Sequence, residues 1–354
     1  MQINMDLKNF RQPELIREII KEIKLFSPSV NIMEVCGSHT MAIGQWGIRK
    51  LLPENIRLIS GPGCPVCVTP SAVIDELIKL KGVTIATFGD LIRVPGTMGT
   101  LEQARAKGAR IVTLYSPLEA LELAKTEETL FVGIGFETTI PGIAHTIREA
   151  RKLNLTNFSV LPVFRLVPPA LEALLTDYDT EINGFILPGH VSVVIGTAAY
   201  NFIPEKYQIS GIVTGFEPLD IVLGIKKLLE NLDNPQIINE YSRVVTRTGN
   251  QMAKAVMTEV FEIQDALWRG LGWIPNSGLG LREEYAEFDA LRKYGIEIND
   301  NVENSQCRCG EVLKGKIIPS DCPLFAMACD PANPLGPCMV SSEGSCAAYY
   351  KYER

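Results

Sequence analysis

The residues best equipped for chemistry are cysteines. Nine occur, and six lie between Cys307 and Cys346: Cys307-x-Cys309, then twelve residues to Cys322, six to Cys329, eight to Cys338 and seven to Cys346. Thiolates are soft ligands, and one zinc ion or one [4Fe–4S] cluster takes four of them. Six thiols supply such a centre with two to spare, a natural count for a cluster beside a redox-active pair. Zinc sites usually show paired C-x2–4-C knuckles. This spacing lacks them and favours a cluster, while leaving open which four thiols bind. The reducing cytosol disfavours a structural disulfide framework as the use of so many cysteines.

A second constellation is GPGCPVCVTP (61–70), in which Cys64 and Cys67 form a C-x-x-C pair between an expected strand and an expected helix. A helix N-terminus lowers a thiol pKa, and the pair can close a disulfide reversibly. Thiol–disulfide chemistry, soft-metal binding and two buried structural cysteines all remain open here. A third is EVCGSHT (34–40), which puts Cys36 at the end of an apolar strand and His39 just after it. Ligands of open α/β sheets bind outside the carboxyl ends of the strands, so both are placed for metal binding or nucleophilic work.

TFGDLIRVPG (87–96), GFETT (135–139) and PGHVS (188–192) add polar groups after other strands: Asp90, Arg93, Glu137, Thr138, Thr139, His190 and Ser192. Together they suggest a cleft lined from several strand ends, though each also suits turn capping. Neither a Walker P-loop nor a G-x-G-x-x-G fingerprint is present, so nucleotide binding is not expected.

These motifs need a scaffold. Short apolar runs at 30–35, 56–60, 83–88, 110–115, 129–136, 158–164, 182–187 and 210–216 read as strands. Helical patterns at 71–82, 140–153, 168–177, 191–200 and 218–232 separate or follow them. Strands apolar throughout, alternating with helices, mean parallel sheets covered on both faces. The expectation is α/β: one parallel-sheet domain over 1–118, a second over 119–238, and a helical and cysteine-rich iron–sulfur domain over 239–354. Gly-Phe-Glu recurs at 135–137 and 215–217, a faint internal echo. Residues 240–262 read as one long helical pattern, 263–300 as turns plus a further helix, and 1–26 as an amphipathic helix. The tail after about 301 needs a metal or cross-link to order it.

Over 354 residues the composition is 46 % hydrophobic and 21 % charged, with net charge −7. No basic surplus exists to neutralise phosphates, so no nucleic-acid partner is expected. Neither a secretory signal nor a membrane span is evident, and a cytoplasmic protein is expected.

CGSHT, GPGCPVC, TFGDLIRVPG, GFETT, PGHVS and the tail CRCG…DCPLF…GPCMVSSEGSCAAYY together resemble HypD, the [NiFe]-hydrogenase maturation family, from about residue 33 to 350. Met41 departs from it, standing where other members carry a second histidine. The resemblance implies two α/β domains plus a [4Fe–4S] domain and a stable complex with HypC. On that complex, iron acquires two cyanides, delivered by HypE, and one carbon monoxide. The resulting Fe(CN)2CO unit passes to the hydrogenase large subunit. It further implies that Cys36 ligates this transient iron beside a cysteine of HypC, and that Cys64 and Cys67 exchange electrons. By the family's analogy with ferredoxin–thioredoxin reductase, Cys307, Cys322, Cys329 and Cys346 hold the cluster, while Cys309 and Cys338 form a redox pair linking it to Cys64–Cys67. Two rival readings are a stand-alone thiol–disulfide oxidoreductase using Cys64 and Cys67, and a zinc-stapled docking protein.

Overall fold

The computed structural model describes residues 10–177, 181–299 and 306–354. Strands are β1 (Val30–Glu34), β2 (Ile56–Ser60), β3 (Thr84–Thr87), β4 (Ile111–Thr113), β5 (Thr129–Gly135), β6 (Phe158–Phe164), β7 (Gly184–Leu187), β8 (Ser210–Val213), β9 (Ile237–Asn239), β10 (Phe261–Trp268) and β11 (Gly272–Leu281). The expected α/β class holds. One parallel sheet has the order β2-β1-β7-β8-β9 and another the order β4-β3-β5-β6. Every residue of β5, β6, β7 and β8 is buried, as the uninterrupted apolar runs require.

The strands do not divide into consecutive halves. The chain makes β1 and β2, leaves to build the whole second sheet from β3 to β6, then returns to lay β7 beside β1. The expected boundary between 118 and 119 therefore falls inside the second sheet, between β4 and β5. All-apolar parallel strands look alike in sequence, so their pattern specifies burial but not neighbour. In each sheet the order reverses beside an early strand, at β1 between β2 and β7 and at β3 between β4 and β5. Such reversals open the crevices in which open α/β sheets bind ligands.

The region read as helix and turns over 240–300 contains a shorter helix, Gln251–Val260, and the antiparallel β10–β11 hairpin. Pro275, Gly278 and Gly280 weaken the strand signal of β11, and the pairing breaks register between Gln264 and Ala266, opposite Pro275 to Ser277. The helix read over 1–26 is present as Pro13–Ile23, and its first nine residues lie outside the described ones.

The cysteine-rich tail does not stand apart as a separate body. Its short helices Cys309–Leu313, Pro337–Val340 and Ser345–Tyr352 join Cys309, Leu313, Cys338, Met339 and Cys346 to the core that also holds Met33, Ile59, Val73 and Val132. Tyr352 packs on Gly44 of the helix Gly37–Gln45, where a Cβ would meet the ring at 3.1 Å. Among the described residues no helix is long and apolar enough to cross a membrane.

Candidate metal and thiol centre

Cys36 follows β1 and caps the helix Gly37–Gln45, which places it at the order reversal of the first sheet. The helix can start there because Gly37 N donates to Gly63 O (2.9 Å). Gly63 itself comes so close that a Cβ on it would overlap the backbone of Cys36. The first two cysteine motifs, 28 residues apart from Cys36 to Cys64, thus meet backbone to backbone. Cys64 and Cys67 are joined as a disulfide with Cα atoms 5.2 Å apart. Both are buried, at 3 % and 0 % exposure.

Beneath Cys36 lies Glu34, fully buried. It accepts hydrogen bonds from Thr40 Oγ1 (2.8 Å) and Ser60 Oγ (2.7 Å) and pairs with Arg49 at 3.3 Å. Burial pushes its carboxyl up to about 7 despite these partners. The network ties β1, β2 and the helix Gly37–Gln45 to the tail, because Arg49 also pairs with Glu353 and lies over the Tyr349 ring.

His39 is buried and stacks on Phe216 (4.5 Å between centroids), on which His190 also stacks (4.1 Å). Its Nε2 sits 2.9 Å from Gly215 O. A carbonyl only accepts, so Nε2 carries the proton and Nδ1 is a bare lone pair, with no partner among the described residues. Burial pulls the imidazole down to about 4, so it is neutral at physiological pH. Glu343 reaches the same place from the tail: Ser38 Oγ donates to its Oε1 (2.8 Å). A Cβ at Gly37 would overlap Glu343, so only glycine lets the tail lie against this turn. Burial, helped by the charge of Glu343, pushes the Cys36 thiol up to about 12. A thiolate there needs a cation beside it.

The six tail cysteines converge. Cys307, Cys309, Cys322, Cys329 and Cys346 line one cavity, closed on its other side by Val312, Leu324, Phe325 and Met339. Cys307 Sγ lies 3.1 Å from Cys309 Sγ. Cys309 is held well above the ordinary thiol range, foremost by its hydrogen bond with Cys307, then by that with Cys338; Cys346 is held up foremost by Cys309. Leu335 N donates to Cys329 Sγ (3.3 Å). A Cβ on Gly336 would fall 2.6 Å from Cys307 Sγ and 2.7 Å from Cys309 Sγ. This donor set fits a multi-iron thiolate group: soft sulfurs around an apolar-walled space, crowded so that they cannot all ionise without a cation. Among the described residues no three His, Cys, Asp or Glu side chains are arranged to hold a single metal ion. Cys338 does not line the cavity. It contacts Cys309 and Cys346, and the carbonyl of its neighbour Pro337 lies 3.9 Å from Cys67 Sγ, so the tail backbone abuts the disulfide.

The remaining motif residues divide among three jobs. Asp90 accepts from Ser341 Oγ (3.0 Å) and Ser342 N (3.3 Å), and Arg93 donates to Pro331 O (2.7 Å), so TFGDLIRVPG anchors the tail. His190 joins Cys36's surroundings through Phe216, and Ser192 hydrogen-bonds Tyr200 OH (3.2 Å). Glu137 faces a different cavity and holds Val167 N through Oε1 (2.9 Å), while Thr138 is exposed and the Thr139 side chain packs against Gly135. Glu34, Phe216 and Glu343 escaped the sequence reading. Glu34 left a signal, a lone acid in the apolar run VNIMEV.

Across residues 13–353 the chain matches the HypD family model, described as the hydrogenase formation hypA family. The chain belongs to the HypD family. It is 46 % identical over 338 residues to the hydrogenase maturation factor HypD of Azotobacter vinelandii, covering 91 % of this chain and 89 % of that one. It is 42 % identical over 367 residues to that of Cupriavidus necator (98 % and 97 %) and 41 % identical over 362 residues to that of Escherichia coli (98 % and 97 %). The expected family is thereby established, and with it a role in hydrogenase maturation. In this HypD chain the motifs CGSHT, GPGCPVC, TFGDLIRVPG and PGHVS pack around Cys36 or anchor the tail beside it, whereas Glu137 of GFETT faces a separate cavity.

Proposed function

We propose that this chain is the scaffold on which the iron of a [NiFe] hydrogenase acquires its diatomic ligands in the cytoplasm. In this reading it forms a stable complex with HypC and receives two cyanides from HypE. One carbon monoxide completes Fe(CN)2CO, which HypC carries to the hydrogenase large subunit. The observation that carries the reading is Cys36 at the order reversal of the first sheet, pressed against the loop that bears the Cys64–Cys67 disulfide.

Iron is the substrate here. Cys36 ligates it as thiolate, and the metal replaces the proton that burial otherwise keeps on sulfur. His39 stays neutral and oriented by Gly215 O, offering Nδ1 as an acceptor without adding positive charge beside the incoming cation. The Glu343 carboxylate, fixed by Ser38, supplies negative charge that favours it. Cys64 and Cys67 interconvert between a disulfide and a dithiol, which differ by two electrons and two protons. Cys307, Cys322, Cys329 and Cys346 would hold a [4Fe–4S] cluster, which supplies single electrons when bound. Cys309 and Cys338 then remain as the thiol pair, and Cys338 follows Pro337, whose carbonyl lies by Cys67. The burial of Cys64 and Cys67 weighs against the stand-alone oxidoreductase, since external disulfides have no open approach to them.

The test is iron, zinc and acid-labile sulfide per chain on anaerobically purified protein, together with loading of Fe(CN)2CO in the presence of HypC and HypE. About four iron and four sulfide are expected, with loading lost in Cys36→Ala while the cluster stays. Wild-type loading by Cys36→Ala would overturn the role of Cys36. Zinc without sulfide would overturn the redox scaffold.

A further inference from the structure

A cavity of about 480 Å³ opens outside the carboxyl ends of β5 and β6, and no cysteine lines it. Its walls are apolar, with Leu166, Pro168, Met257, Phe261 and Leu279, and Ile263, 63 % exposed, sits in its lining. Lys254 and Arg282 face it. Lys254 Nζ touches only a backbone carbonyl, that of Thr248 (3.2 Å), and Arg282 spends Nε on the carbonyls of Thr258 and Phe261. Among the described residues neither has a carboxylate partner. A second recess of about 430 Å³ shares Ile195, Ala199 and Lys254 with the first and adds Arg247. Among the described residues Lys254 and Arg282 thus keep charged donors free of direct ion pairs at the edge of an apolar space. Two acids belong to the lining. Glu262 is exposed. Glu137 is 2 % exposed, and its Oε2 is buried with no partner among the described residues. A buried carboxyl oxygen without a partner is costly, and a ligand's hydroxyl, amide or carboxyl group would satisfy it.

We propose that this cavity binds a small amphipathic organic anion, its charged head on Lys254 and Arg282 and its apolar body against Met257, Phe261 and Leu279. The cavity volume lies within the range of about 300–1,000 Å³ that small-molecule sites span, and a short-chain carboxylate fits inside it. Burial holds Glu137 at about 7, so near neutrality its carboxyl can donate as well as accept. The site rests on none of the cysteine chemistry, and its failure would leave the maturation scaffold untouched.

The experiment is a ligand-observed NMR titration of the full chain with hexanoate, hexylamine and hexanol. Hexanoate is expected to bind about tenfold tighter than hexylamine. Lys254→Met is expected to cost hexanoate about tenfold while leaving hexanol unchanged, the size expected for one hydrogen bond to a charged group. Met257→Trp fills the cavity and should abolish binding of hexanoate and hexanol alike. Circular dichroism and iron content, unchanged in both variants, show that the fold persists. The proposal is overturned if hexanoate fails to bind, if the amine binds as well as the acid, or if folded Lys254→Met binds hexanoate like the wild type.

Discussion

Gly336→Ala isolates the tail cavity as a holder of iron and sulfide. Gly336 has φ −137° and ψ 155°, extended backbone that alanine adopts without strain. The whole effect must therefore come from the added methyl, 2.6 Å from Cys307 Sγ and 2.7 Å from Cys309 Sγ. Ordinary contact begins near ~3.5 Å, so both sulfurs must retreat by about 1 Å. Metal–ligand distances tolerate only about 0.2 Å. Overpacking of this kind costs about 1–3 kcal/mol, which is about 5- to 150-fold in the equilibrium for holding the group. Iron and sulfide per chain, measured after anaerobic purification and dialysis, should fall to less than half of wild type. The control is Gly142→Ala, on a helix with its nearest neighbour at 4.0 Å, which should keep full iron and gain slightly in helix stability. Wild-type iron and sulfide in Gly336→Ala would refute the assignment of Cys307 and Cys309 to the wall of the cluster site.

Three further outcomes follow from the same geometry. Glu34 is protonated in both folded and unfolded chains at low pH. Between its ordinary 4.5 and about 7 only the folded chain keeps the proton, so stability falls as pH rises through that window, by about 3 kcal/mol. Urea midpoints at pH 5 and pH 8 should show this slope shrinking by that amount in Glu34→Gln, and an unchanged slope would mean the carboxyl is not buried as described. Gly37→Ala should detach the tail from the helix Gly37–Gln45 and cost about 3 kcal/mol, because the obstacle is the Cβ and carbonyl of Glu343 rather than a flexible side-chain end. Limited proteolysis would then cut near Ser341 to Glu343 in the variant only. Denatured, metal-stripped protein kept without reductant should titrate seven thiols, since two of the nine cysteines, Cys64 and Cys67, are joined as a disulfide. Nine thiols would mean the pair rests reduced.

What was legible in the sequence, and what was not, follows from the range of each interaction. Strands β1 to β8 announced themselves because burial on both faces demands unbroken apolar runs, a local demand. Which strands pair is not local, and so the return of β7 to β1 across the whole second sheet stayed hidden. The β10–β11 hairpin was missed because Pro275, Gly278, Gly280 and an interrupted register remove the alternation that marks a strand. Within the site, the cysteines were legible by type and number. Glu343 was not, since a single acid in SSEGS looks like any solvated turn until Gly37 and Ser38 are packed against it.

The detour through the second sheet also explains why the chemistry sits where it does. Cys36 follows β1 and His190 follows β7, and these strands lie side by side although 123 residues separate the end of β2 from the start of β7. That excursion makes β1 the strand at which the order reverses, which opens the crevice at its carboxyl end. The same excursion supplies Asp90 and Arg93, whose bonds to Ser341 and Pro331 pull the tail across the opening. Glu343 then meets Ser38, and Pro337 meets Cys67. The tail is thus held against the disulfide by contacts that are mostly made by side chains other than cysteine. Substituting Asp90 should consequently loosen the tail from the disulfide loop while leaving every cysteine in place.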